Sequence, residues 1–429
     1  MLKFNEQNEV IREEEYKAIL VGIQIDEDIS YSMEELKGLC EAASIESIGT
    51  VIQNMERPNS ATLVGSGKVD EIRELVSNME ADLVVFNDEL SGMQLRNLED
   101  AFGVRVIDRV ILILDIFAKR ATSREGKLQV ELAQLRYRIP RLTGFGKSLS
   151  RLGGGIGTRG PGEKKLETDR RHIERRIYDI RDELDSIKKT RVTQKKRREK
   201  NEIPVVALVG YTNSGKSALM NRILTKTDNT DKQVFEENML FATLDTYQRR
   251  VDLDRNHSFI LVDTIGFVSR LPHLLIDAFK ATLEIVTEAD LLIHVVDISY
   301  ENSDFYMDVT DRVLNEIGAG SKERLTAFNK VDLVEDKDEL LTAGTGKDSF
   351  LISAKYDIGV DELIDAVKGR IFGDEITARL LIPYSRGDVS SYIQDKATVL
   401  SLSYEAEGTL IECELKEQDY NRFKEFEVI

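Results

Sequence analysis

The sequence predicts a multidomain α/β protein, and three features of the chain support this prediction. Short apolar runs alternate with helix-like stretches over residues 16–118 and again from Ile203 to about Phe372, which is typical of mostly parallel sheets with connecting helices. The region between these two has helical periodicity and no strand pattern. A length of 429 residues accommodates about two to four domains, each with its own core.

Composition excludes several classes of protein. Hydrophobic residues make up 41% of the chain and charged residues 32%, as in globular proteins. No uncharged apolar stretch reaches the roughly 18 residues of a membrane span, and the first residues lack the apolar segment of a signal peptide. Cys40 and Cys413 are too few for a disulfide framework or a four-cysteine zinc site. We therefore expect a cytoplasmic protein without a membrane span.

Charge is distributed unevenly along the chain. Residues 118–200 contain 25 Lys and Arg but 11 Asp and Glu, a net charge of +14. Because the whole chain has a formal charge of −18, the other residues together carry −32. This asymmetry predicts one segment that binds nucleic acid within a protein that otherwise repels it.

A domain with both helices and strands is predicted at each end of the chain. Residues 1–118 are predicted to form a parallel α/β domain with the strands YKAILVGIQI, SIGTVIQN, ATLVGSG, ADLVVFND and GVRVID. Its predicted helices are SMEELKGLCEAA, GKVDEIRELVSNME and SGMQLRNLEDAF. Residues 375–429 show the order strand, helix, strand, strand, helix, which predicts a small C-terminal α+β domain.

Residues 119–200 are predicted to contain an antiparallel helical hairpin. Apolar residues form one stripe from Ala118 to Pro140 and a heptad seam from Glu163 to Lys189, so the second arm would be about 40 Å long. The residues of the stripe and the seam are Ala121, Leu128, Leu132, Leu135, Ile139, Leu166, Ile173, Ile177, Ile180, Leu184 and Ile187. The polar, basic segment 190–202 is predicted to be a linker.

The segment between the two arms, residues 142–163, is rich in glycine. It contains eight glycines, and Lys147, Arg151 and Arg159 lie among them beside Phe145 and Ile156. A flexible linker is one interpretation of this composition. Basic and apolar side chains are unusual in such linkers, and glycine lets backbone N–H groups approach phosphates closely, so we favour a tip that contacts nucleic-acid phosphates.

Residues 201–374 are predicted to form a GTPase domain, because they contain a phosphate loop between a buried strand and a helix. In the pattern GxxxxGKS the glycines let the backbone wrap a phosphate, and the helix N-terminus adds a favourable dipole. Lys216 would neutralise charge on the β- and γ-phosphates, and the Ser217 hydroxyl would bind Mg²⁺. The loop residues predicted to bind nucleotide are Gly210, Tyr211, Thr212, Asn213, Ser214, Gly215, Lys216 and Ser217.

Four further elements follow in the order that a GTPase requires. Thr243 lies in a loop from which it can reach Mg²⁺ and the γ-phosphate, Asp263 ends a strand and can hold Mg²⁺, and the Gly266 N–H can contact the γ-phosphate. A carboxylate can accept from N1–H and the 2-amino group of guanine, which adenine lacks. The residues predicted to read guanine are Asn329, Lys330, Asp332, Ser353, Ala354 and Lys355. We expect Lys216, Thr243 and Gly266 to act in catalysis.

Two residues bear on the mechanism. Phe267 follows Gly266 at the place where Ras-like enzymes have the glutamine that orients water, and phenylalanine cannot hydrogen-bond that water. We therefore expect slow intrinsic hydrolysis that a partner stimulates. Asn213 lies within the phosphate loop, where it could either make local hydrogen bonds or help to hold K⁺. We favour the local role and keep K⁺ as the alternative.

Together these residues resemble the HflX family of translational GTPases, over nearly the whole chain from about Tyr16. The most specific segment is GGGIGTRGPGEKKLETDRRHI at 153–173, which lies outside the GTPase motifs. Also similar are LVGSGKVDEI (63–72), ELSGMQLRNLED (89–100), the phosphate loop VALVGYTNSGKSALMN, LDT (244–246) and IPYSRGDV (382–389).

The resemblance implies a partner and an activity. It implies a GTPase that binds the large ribosomal subunit and its rRNA, transiently associates with ribosomes and, in its GTP state, splits stalled or idle ribosomes under stress. We expect the protein to be a monomer. The resemblance also implies that Ser217 and Thr243 are Mg²⁺ ligands and that Phe267 is a normal residue at its position. The residues implied to face RNA are Arg151, Gly153, Gly154, Gly155, Gly157, Thr158, Arg159 and Gly160.

Two other functions remain open at this point. A factor in assembly or hibernation of the large subunit would bind it without splitting ribosomes and would use hydrolysis to time its release. A signalling GTPase at a membrane would place its basic arm on anionic lipid, which leaves transient membrane association open. The arm lacks a strongly apolar anchoring face, so we rank this third.

Overall fold

The structure is a computed structural model that covers most of the chain. It describes residues 16–26, 28–142, 161–200, 203–227, 241, 247–254, 257–269, 283–300, 302–334, 346, 348–373 and 375–428, with the backbone alone at 142, 161–166, 191–200, 375 and 418. The chain forms two compact units. Unit 1 comprises Met1–Val192, Glu237–Asp245 and Ser269–Lys280, and unit 2 comprises Thr193–Glu236, Thr246–Val268 and Ala281–Ile429.

The first part of unit 1 is built on a parallel sheet, as the alternating pattern predicts. Its strands are β1 (Tyr16–Gln24), β2 (Ile45–Asn54), β3 (Leu83–Phe86) and β4 (Arg105–Asp108), in the order β2-β1-β3-β4. Every neighbouring pair is parallel. The helices are α1 (Ser30–Ala42), α2 (Ser66–Asn78), α3 (Gly92–Phe102) and α4 (Arg109–Arg120).

One predicted strand of this region is wrong. Segment ATLVGSG forms a turn that leads into α2, and Leu63 makes only an isolated bridge to Asn59. The Asn59 side chain accepts hydrogen bonds from the N–H groups of Ala61 and Thr62, which folds the chain back on itself. A local side-chain acceptor thus outweighs the strand propensity of the apolar residues.

The predicted helical hairpin is confirmed, with shifted bounds. Its arms are α5 (Arg124–Leu142) and α6 (Pro161–Lys200). Arg176 forms a bidentate ion pair with Glu131, and Arg124 pairs with Glu183. The later residue of α5 thus pairs with the earlier residue of α6, which shows that the two arms are antiparallel. Buried Leu128, Leu132, Ile177 and Ile180 form the centre of the predicted apolar seam.

Both boundary errors in the hairpin have local causes. The first arm does not begin at Ala118, because α4 ends at Arg120 and the Ser123 hydroxyl caps a new helix by accepting from the Gly126 N–H at 2.9 Å. The linker expected over 190–202 is wrong up to Lys200, where α6 ends. Lys, Arg and Gln favour helix, and no Gly or Pro interrupts that stretch. No helix in the described part of the chain is long and apolar enough to cross a membrane.

Among the described residues of unit 2, a six-stranded sheet and the helices α7, α8 and α9 belong to the predicted GTPase domain. The strand order is β10-β9-β8-β5-β7-β6, and all neighbours are parallel except the edge pair β6–β7. The strands are β5 (Val205–Val209), β6 (Tyr247–Asp252), β7 (Ser258–Asp263), β8 (Leu291–Asp297), β9 (Arg324–Asn329) and β10 (Ser349–Leu351). The helices are α7 (Lys216–Lys226), α8 (Ser303–Glu316) and α9 (Val360–Phe372).

The end of the chain folds into the predicted order of strand, helix, strand, strand, helix. The elements are β11 (Glu375–Ile382), α10 (Gly387–Lys396), β12 (Thr398–Tyr404), β13 (Thr409–Lys416) and α11 (Glu417–Phe423). The sheet is antiparallel in the order β11-β13-β12. Its core includes Leu380, Ile393, Ile411 and Cys413, and burial raises the pKa of the Cys413 thiol to about 11.

Candidate nucleotide-binding site

The phosphate loop connects β5 to α7 at the carboxyl edge of the parallel strands. Two of its glycines are required by geometry. Gly210 has φ +146°, and a Cβ there would lie 2.2 Å from the Val295 carbonyl oxygen. Gly215 has φ +93°, and a Cβ there would lie 2.2 Å from Nδ2 of Asn329. Both positions combine a left-handed or steeply positive φ with a close neighbour, so a larger residue would disturb the loop.

Asn329 ties the phosphate loop to the next loop of the sheet. Its Nδ2 donates to the Ser214 carbonyl at 2.9 Å, and its Oδ1 accepts from the Ala354 N–H at 3.0 Å. The side chain is 3% exposed. Since both ends of the amide are used, Asn329 sets the spacing between the phosphate loop and the loop that contains Ala354.

The residues predicted to read guanine are brought together beside this connection. The Ser353 hydroxyl donates to Oδ1 of Asp332 at 2.6 Å, and Asp332 itself is exposed. Lys330 has φ +67°, and its ammonium contacts the Asp297 carboxylate at 2.6 Å. One carboxylate oxygen of Asp332 is therefore oriented by Ser353, while the residue as a whole stays exposed.

Arg222 also belongs to this site, although no sequence pattern pointed to it. Its guanidinium donates to the carbonyl oxygens of Ala354 at 2.8 Å and Lys355 at 2.7 Å, and so links α7 to the loop that Asn329 also holds. The partners are 132 and 133 residues away along the chain. A lone arginine on a helix carries no sequence signal for backbone partners at that separation.

Lys216 is buried at the start of α7. It is 6% exposed, and its ammonium donates to the carbonyls of Gly210 at 3.2 Å and Tyr211 at 2.6 Å. Burial lowers the pKa of Lys216 to about 8, although the nearby Asp263 carboxylate acts in the opposite direction. The Lys216 ammonium therefore begins to lose its proton near pH 8. A bound polyphosphate would stabilise the protonated form and so raise this pKa.

This pKa predicts how GTP affinity depends on pH. Below about pH 8 Lys216 is charged with or without nucleotide, so affinity should be level. Above that pH, binding must first protonate the lysine, and affinity should fall by up to about tenfold per pH unit. Titration of a fluorescent GTP analogue between about pH 7 and 9.5 tests this. Lys216→Arg is the control, since a guanidinium stays charged and should abolish the extra slope. A level wild-type profile would contradict the prediction.

Ser217 and Asp263 form a pair of oxygen groups next to the phosphate loop. The Ser217 hydroxyl donates to Oδ2 of Asp263 at 2.6 Å, and Asp263 is fully buried at the end of β7. Hydroxyl and carboxylate oxygens are the ligands that Mg²⁺ prefers, so the donor set fits this ion. Thr243, the third predicted ligand, lies outside the described residues.

The loop after β7 lies directly on the phosphate loop. The Phe267 N–H donates to the Gly210 carbonyl at 3.1 Å, and the Phe267 carbonyl accepts from the Thr212 N–H at 2.7 Å. A Cβ on Gly266 would lie 2.5 Å from Cα of Thr212 and 3.0 Å from the Lys216 ammonium. The Phe267 side chain is 1% exposed, so it packs in the interior and offers no group to a water molecule.

The structure thus brings together most of the predicted nucleotide site. Asn213 is in the loop with φ +61°. The predicted RNA-facing residues lie outside the described part of the chain, namely Arg151, Gly153, Gly154, Gly155, Gly157, Thr158, Arg159 and Gly160.

Three family models match successive regions of the chain. The model described as GTP-binding GTPase N-terminal matches residues 30–118, and the model described as GTP-binding GTPase Middle Region matches residues 120–198. A third, described as 50S ribosome-binding GTPase, matches residues 205–330 and therefore the phosphate loop and Asn329.

Similar proteins extend over almost the full length of the chain. It is 46% identical over 414 residues to GTPase HflX of Caldanaerobacter subterraneus, across 96% of this chain and 94% of the relative. It is 40% identical over 378 residues to GTPase HflX of Escherichia coli, across 87% of each. A solved GTP-binding protein of Sulfolobus solfataricus in complex with GDP is 24% identical, across 83% of this chain and 99% of that one, with a TM-score of 0.44. At these identities and coverages, the chain belongs to the HflX family of GTPases and hydrolyses GTP.

Proposed function

We propose that this GTPase binds the large ribosomal subunit and, with GTP bound, dissociates stalled or idle ribosomes under stress. The observation that carries the proposal is the match of residues 205–330 to a ribosome-binding GTPase model in a chain whose segment 118–200 has a net charge of +14. A strongly acidic protein with one basic arm is suited to contact rRNA through that arm alone.

In the proposed mechanism, residues of unit 2 bind and orient GTP. Lys216 neutralises the β- and γ-phosphates, the Gly266 N–H contacts the γ-phosphate, and the Asp332 carboxylate accepts from the guanine edge. GTPases generally use Mg²⁺, and Ser217, Asp263 and Thr243 are proposed to hold it. When bound, Mg²⁺ neutralises charge that develops on the phosphate oxygens. GDP lacks the γ-phosphate and so loses the contacts proposed for it, which would make the GTP-bound and GDP-bound conformations different.

Hydrolysis by the protein alone is proposed to be slow. Phe267 is buried and bonded through its backbone to the phosphate loop, so its side chain cannot orient the attacking water. A group supplied in trans accelerates other GTPases by about 10³–10⁵. The ribosome is the partner that would supply such a group or orient the segments that contain Thr243 and Gly266. The GTP state would then stay intact until the arm is bound.

The basic arm is proposed to present the glycine-rich segment between α5 and α6 to rRNA. The arm is stabilised by its buried apolar seam and by ion pairs such as Arg176–Glu131, so its tip can carry residues that contribute nothing to a core. Arg151 and Arg159 are the proposed phosphate contacts.

The second candidate function is that of a factor in subunit assembly or hibernation, in which the same arm would bind the large subunit. A monomeric state is a further part of the proposal, and K⁺ beside Asn213 stays the alternative to a local hydrogen-bonding role of this amide.

Sedimentation of intact ribosomes tests the proposal. With GTP or a non-hydrolysable analogue, the wild-type protein should increase the free subunits, and no increase with either nucleotide would favour the assembly or hibernation role. The double variant Arg151→Ala/Arg159→Ala should reduce large-subunit binding by about tenfold or more at moderate salt and leave GTP affinity unchanged.

A matched control removes the same charge elsewhere on the arm. Arg170 and Arg171 are exposed on α6 and pair with Glu174 and Glu167, so Arg170→Ala/Arg171→Ala keeps the tip intact. We expect it to reduce subunit binding by less than about threefold. Equal losses in the two double variants would contradict a specific tip. Loss of GTP affinity in the tip variant would contradict the separation of RNA binding from nucleotide binding.

A further inference from the structure

Four aromatic rings cluster where the phosphate loop of unit 2 meets the start of α8. Tyr306 lies at the centre, and its ring centroid is 4.4 Å from that of Tyr211, which belongs to the phosphate loop. The centroids of Tyr300 and Phe305 lie 5.4 Å and 5.5 Å from that of Tyr306. Tyr300 is 42% exposed and Phe305 is 41% exposed. Solvent therefore reaches two rings that are joined to the phosphate loop through Tyr306 and Tyr211.

Two carboxylates lie beside the exposed rings. Asp304 and Asp308 are exposed on α8 and lie one turn apart, and Asp308 is three residues after Phe305 on the same side of the helix. No Lys or Arg occurs in α8 before Arg312. This part of unit 2 therefore combines aromatic faces with negative charge. We call it the aromatic–acidic surface, and it consists of Tyr300, Asp304, Phe305, Tyr306 and Asp308.

A cavity lies beneath the aromatic–acidic surface. It encloses about 250 Å³ including its open mouth, and Tyr300 and Tyr306 of the surface contribute to its lining. Ser214 of the phosphate loop and His294 of β8 also line it. They are 1% and 2% exposed, and Oγ of Ser214 and Nδ1 of His294 have no hydrogen-bond partner among the described residues. Since buried polar atoms are nearly always bonded, these two atoms indicate that the cavity takes a polar group.

The groups that line the cavity can accept hydrogen bonds from a cation. Burial lowers the pKa of His294 to about 4, so its imidazole is neutral at pH 7. A neutral imidazole accepts through Nδ1 when its proton is on Nε2, and the Ser214 hydroxyl can accept as well. No described residue that lines the cavity is a Lys or an Arg. A donor that carries a positive charge therefore suits this cavity.

Three kinds of partner can be compared for the aromatic–acidic surface. Nucleic-acid bases stack on aromatic rings, but Asp304 and Asp308 would repel the phosphates. An apolar protein segment would bury both carboxylates without a counter-charge, which is unfavourable. A guanidinium fits the rings, the carboxylates and the cavity together, because it stacks on aromatic faces, pairs with carboxylates and donates several N–H groups. The surface therefore matches a protein segment that contains arginine.

We propose that the aromatic–acidic surface binds a basic protein segment through an arginine whose guanidinium lies against Tyr300 and Phe305 at the mouth of the cavity. Asp304 and Asp308 pair with the positive charges of the segment. This surface gives unit 2 a protein partner that is separate from the RNA proposed to bind the arm. The inference does not depend on whether the protein dissociates ribosomes.

Fluorescence anisotropy with labelled hexa-arginine and hexalysine peptides tests the inference on the full-length protein. Salt at about 150 mM screens long-range attraction of the peptides to the acidic chain. Wild-type protein should bind hexa-arginine about tenfold more tightly than hexalysine, because a guanidinium stacks on rings and an ammonium is more strongly hydrated. Tyr300→Leu/Phe305→Leu keeps apolar side chains and removes the ring faces. It should weaken hexa-arginine binding by about tenfold and hexalysine binding by less than about threefold.

Variants of the charged and buried groups supply independent evidence. Asp304→Asn/Asp308→Asn should weaken both peptides by about fivefold. Glu405→Gln/Glu407→Gln removes two exposed carboxylates from the turn between β12 and β13 and is the matched control, with both affinities within about twofold of wild type. His294→Phe keeps a ring and removes the acceptor, so hexa-arginine should bind about threefold more weakly. GTP affinity should stay within about twofold in each variant, which checks that unit 2 is folded.

Several results would overturn the inference. Equal losses in Asp304→Asn/Asp308→Asn and in the matched control would mean that net charge alone attracts the peptides. Failure of the wild-type protein to bind hexa-arginine, or unchanged affinity in the ring variant, would exclude the arginine contact. A hexauridylate RNA that binds more tightly than hexa-arginine and loses affinity in the ring variant would identify an RNA site instead. If the ring variant does not fold, the comparison of Asp304→Asn/Asp308→Asn with its control still decides.

Discussion

Lys216→Ala is expected to weaken the binding of both GTP and GDP by at least about 100-fold and to abolish hydrolysis. The ammonium is buried at the start of α7 and bonded to two carbonyls of the phosphate loop, so it lies at the proposed phosphate site. Removing it deprives the negative phosphates of the one cationic side chain proposed to neutralise them, which leaves backbone N–H groups and Mg²⁺. Isothermal titration with each nucleotide and a phosphate-release assay measure the two effects.

A second lysine of the same helix provides the control. Lys226 ends α7, is 20% exposed and pairs with Asp357 and Asp361. Lys226→Ala removes an equal charge from α7 and should leave both affinities within about twofold. The Lys216→Ala variant should also keep the helix content of the wild-type protein, because the hairpin does not depend on this lysine. Wild-type affinity in that variant would mean that the phosphates bind elsewhere.

Asp332→Asn is expected to remove the preference for guanine. Asp332 is proposed to accept from two N–H groups of the guanine edge, and an amide can accept from one while its NH₂ opposes the other. Because sites built on such hydrogen bonds discriminate by about 10⁴–10⁵, the ratio of GTP to ATP affinity should fall by several orders of magnitude. Xanthosine triphosphate, which has a carbonyl in place of the 2-amino group, should bind the variant better than GTP.

Competition between nucleotides measures this change directly. Asp357→Asn is the matched control, because Asp357 lies in the next loop and pairs with Lys226. It should retain the preference for GTP. Ser353→Ala should have an intermediate effect, since it loses the 2.6 Å hydrogen bond that orients the Asp332 carboxylate. An Asp332→Asn protein that still prefers GTP over xanthosine triphosphate would exclude Asp332 as the base-reading group.

Local patterns were sufficient to predict the sheets and the phosphate loop, because these depend on residues close together in sequence. The glycines of the loop and the strand that precedes it occupy one continuous segment, and parallel strands bring their carboxyl ends to one edge. The apolar seam of the hairpin was predictable for the same reason: its spacing is periodic. The turn at Asn59 and the helix over 190–200 were not predicted. The turn depends on a single side-chain acceptor, and the helix depends on residue propensity without an apolar stripe.

Contacts between remote residues gave no comparable signal. The Glu35 carboxylate accepts from the Ser269 N–H although the two residues are 234 positions apart, and neither lies in a motif. Arg222 donates to backbone carbonyl oxygens. Every residue type has such a carbonyl, so the side chains of the partner residues do not reveal the contact. The pairing of Phe267 with the phosphate loop likewise runs through backbone groups alone. Such interactions follow from the folded arrangement of elements, which periodicity and composition do not determine.

The uninterrupted helix α6 has a consequence for the density of charge along the chain. Its 40 residues extend for about 60 Å, and four residues separate it from β5. Residues 195–200, all basic except Glu199, span about 9 Å of the helix axis, where six residues of extended chain would span about 20 Å. The basic residues of this segment are therefore about twice as closely spaced as they would be in an extended linker.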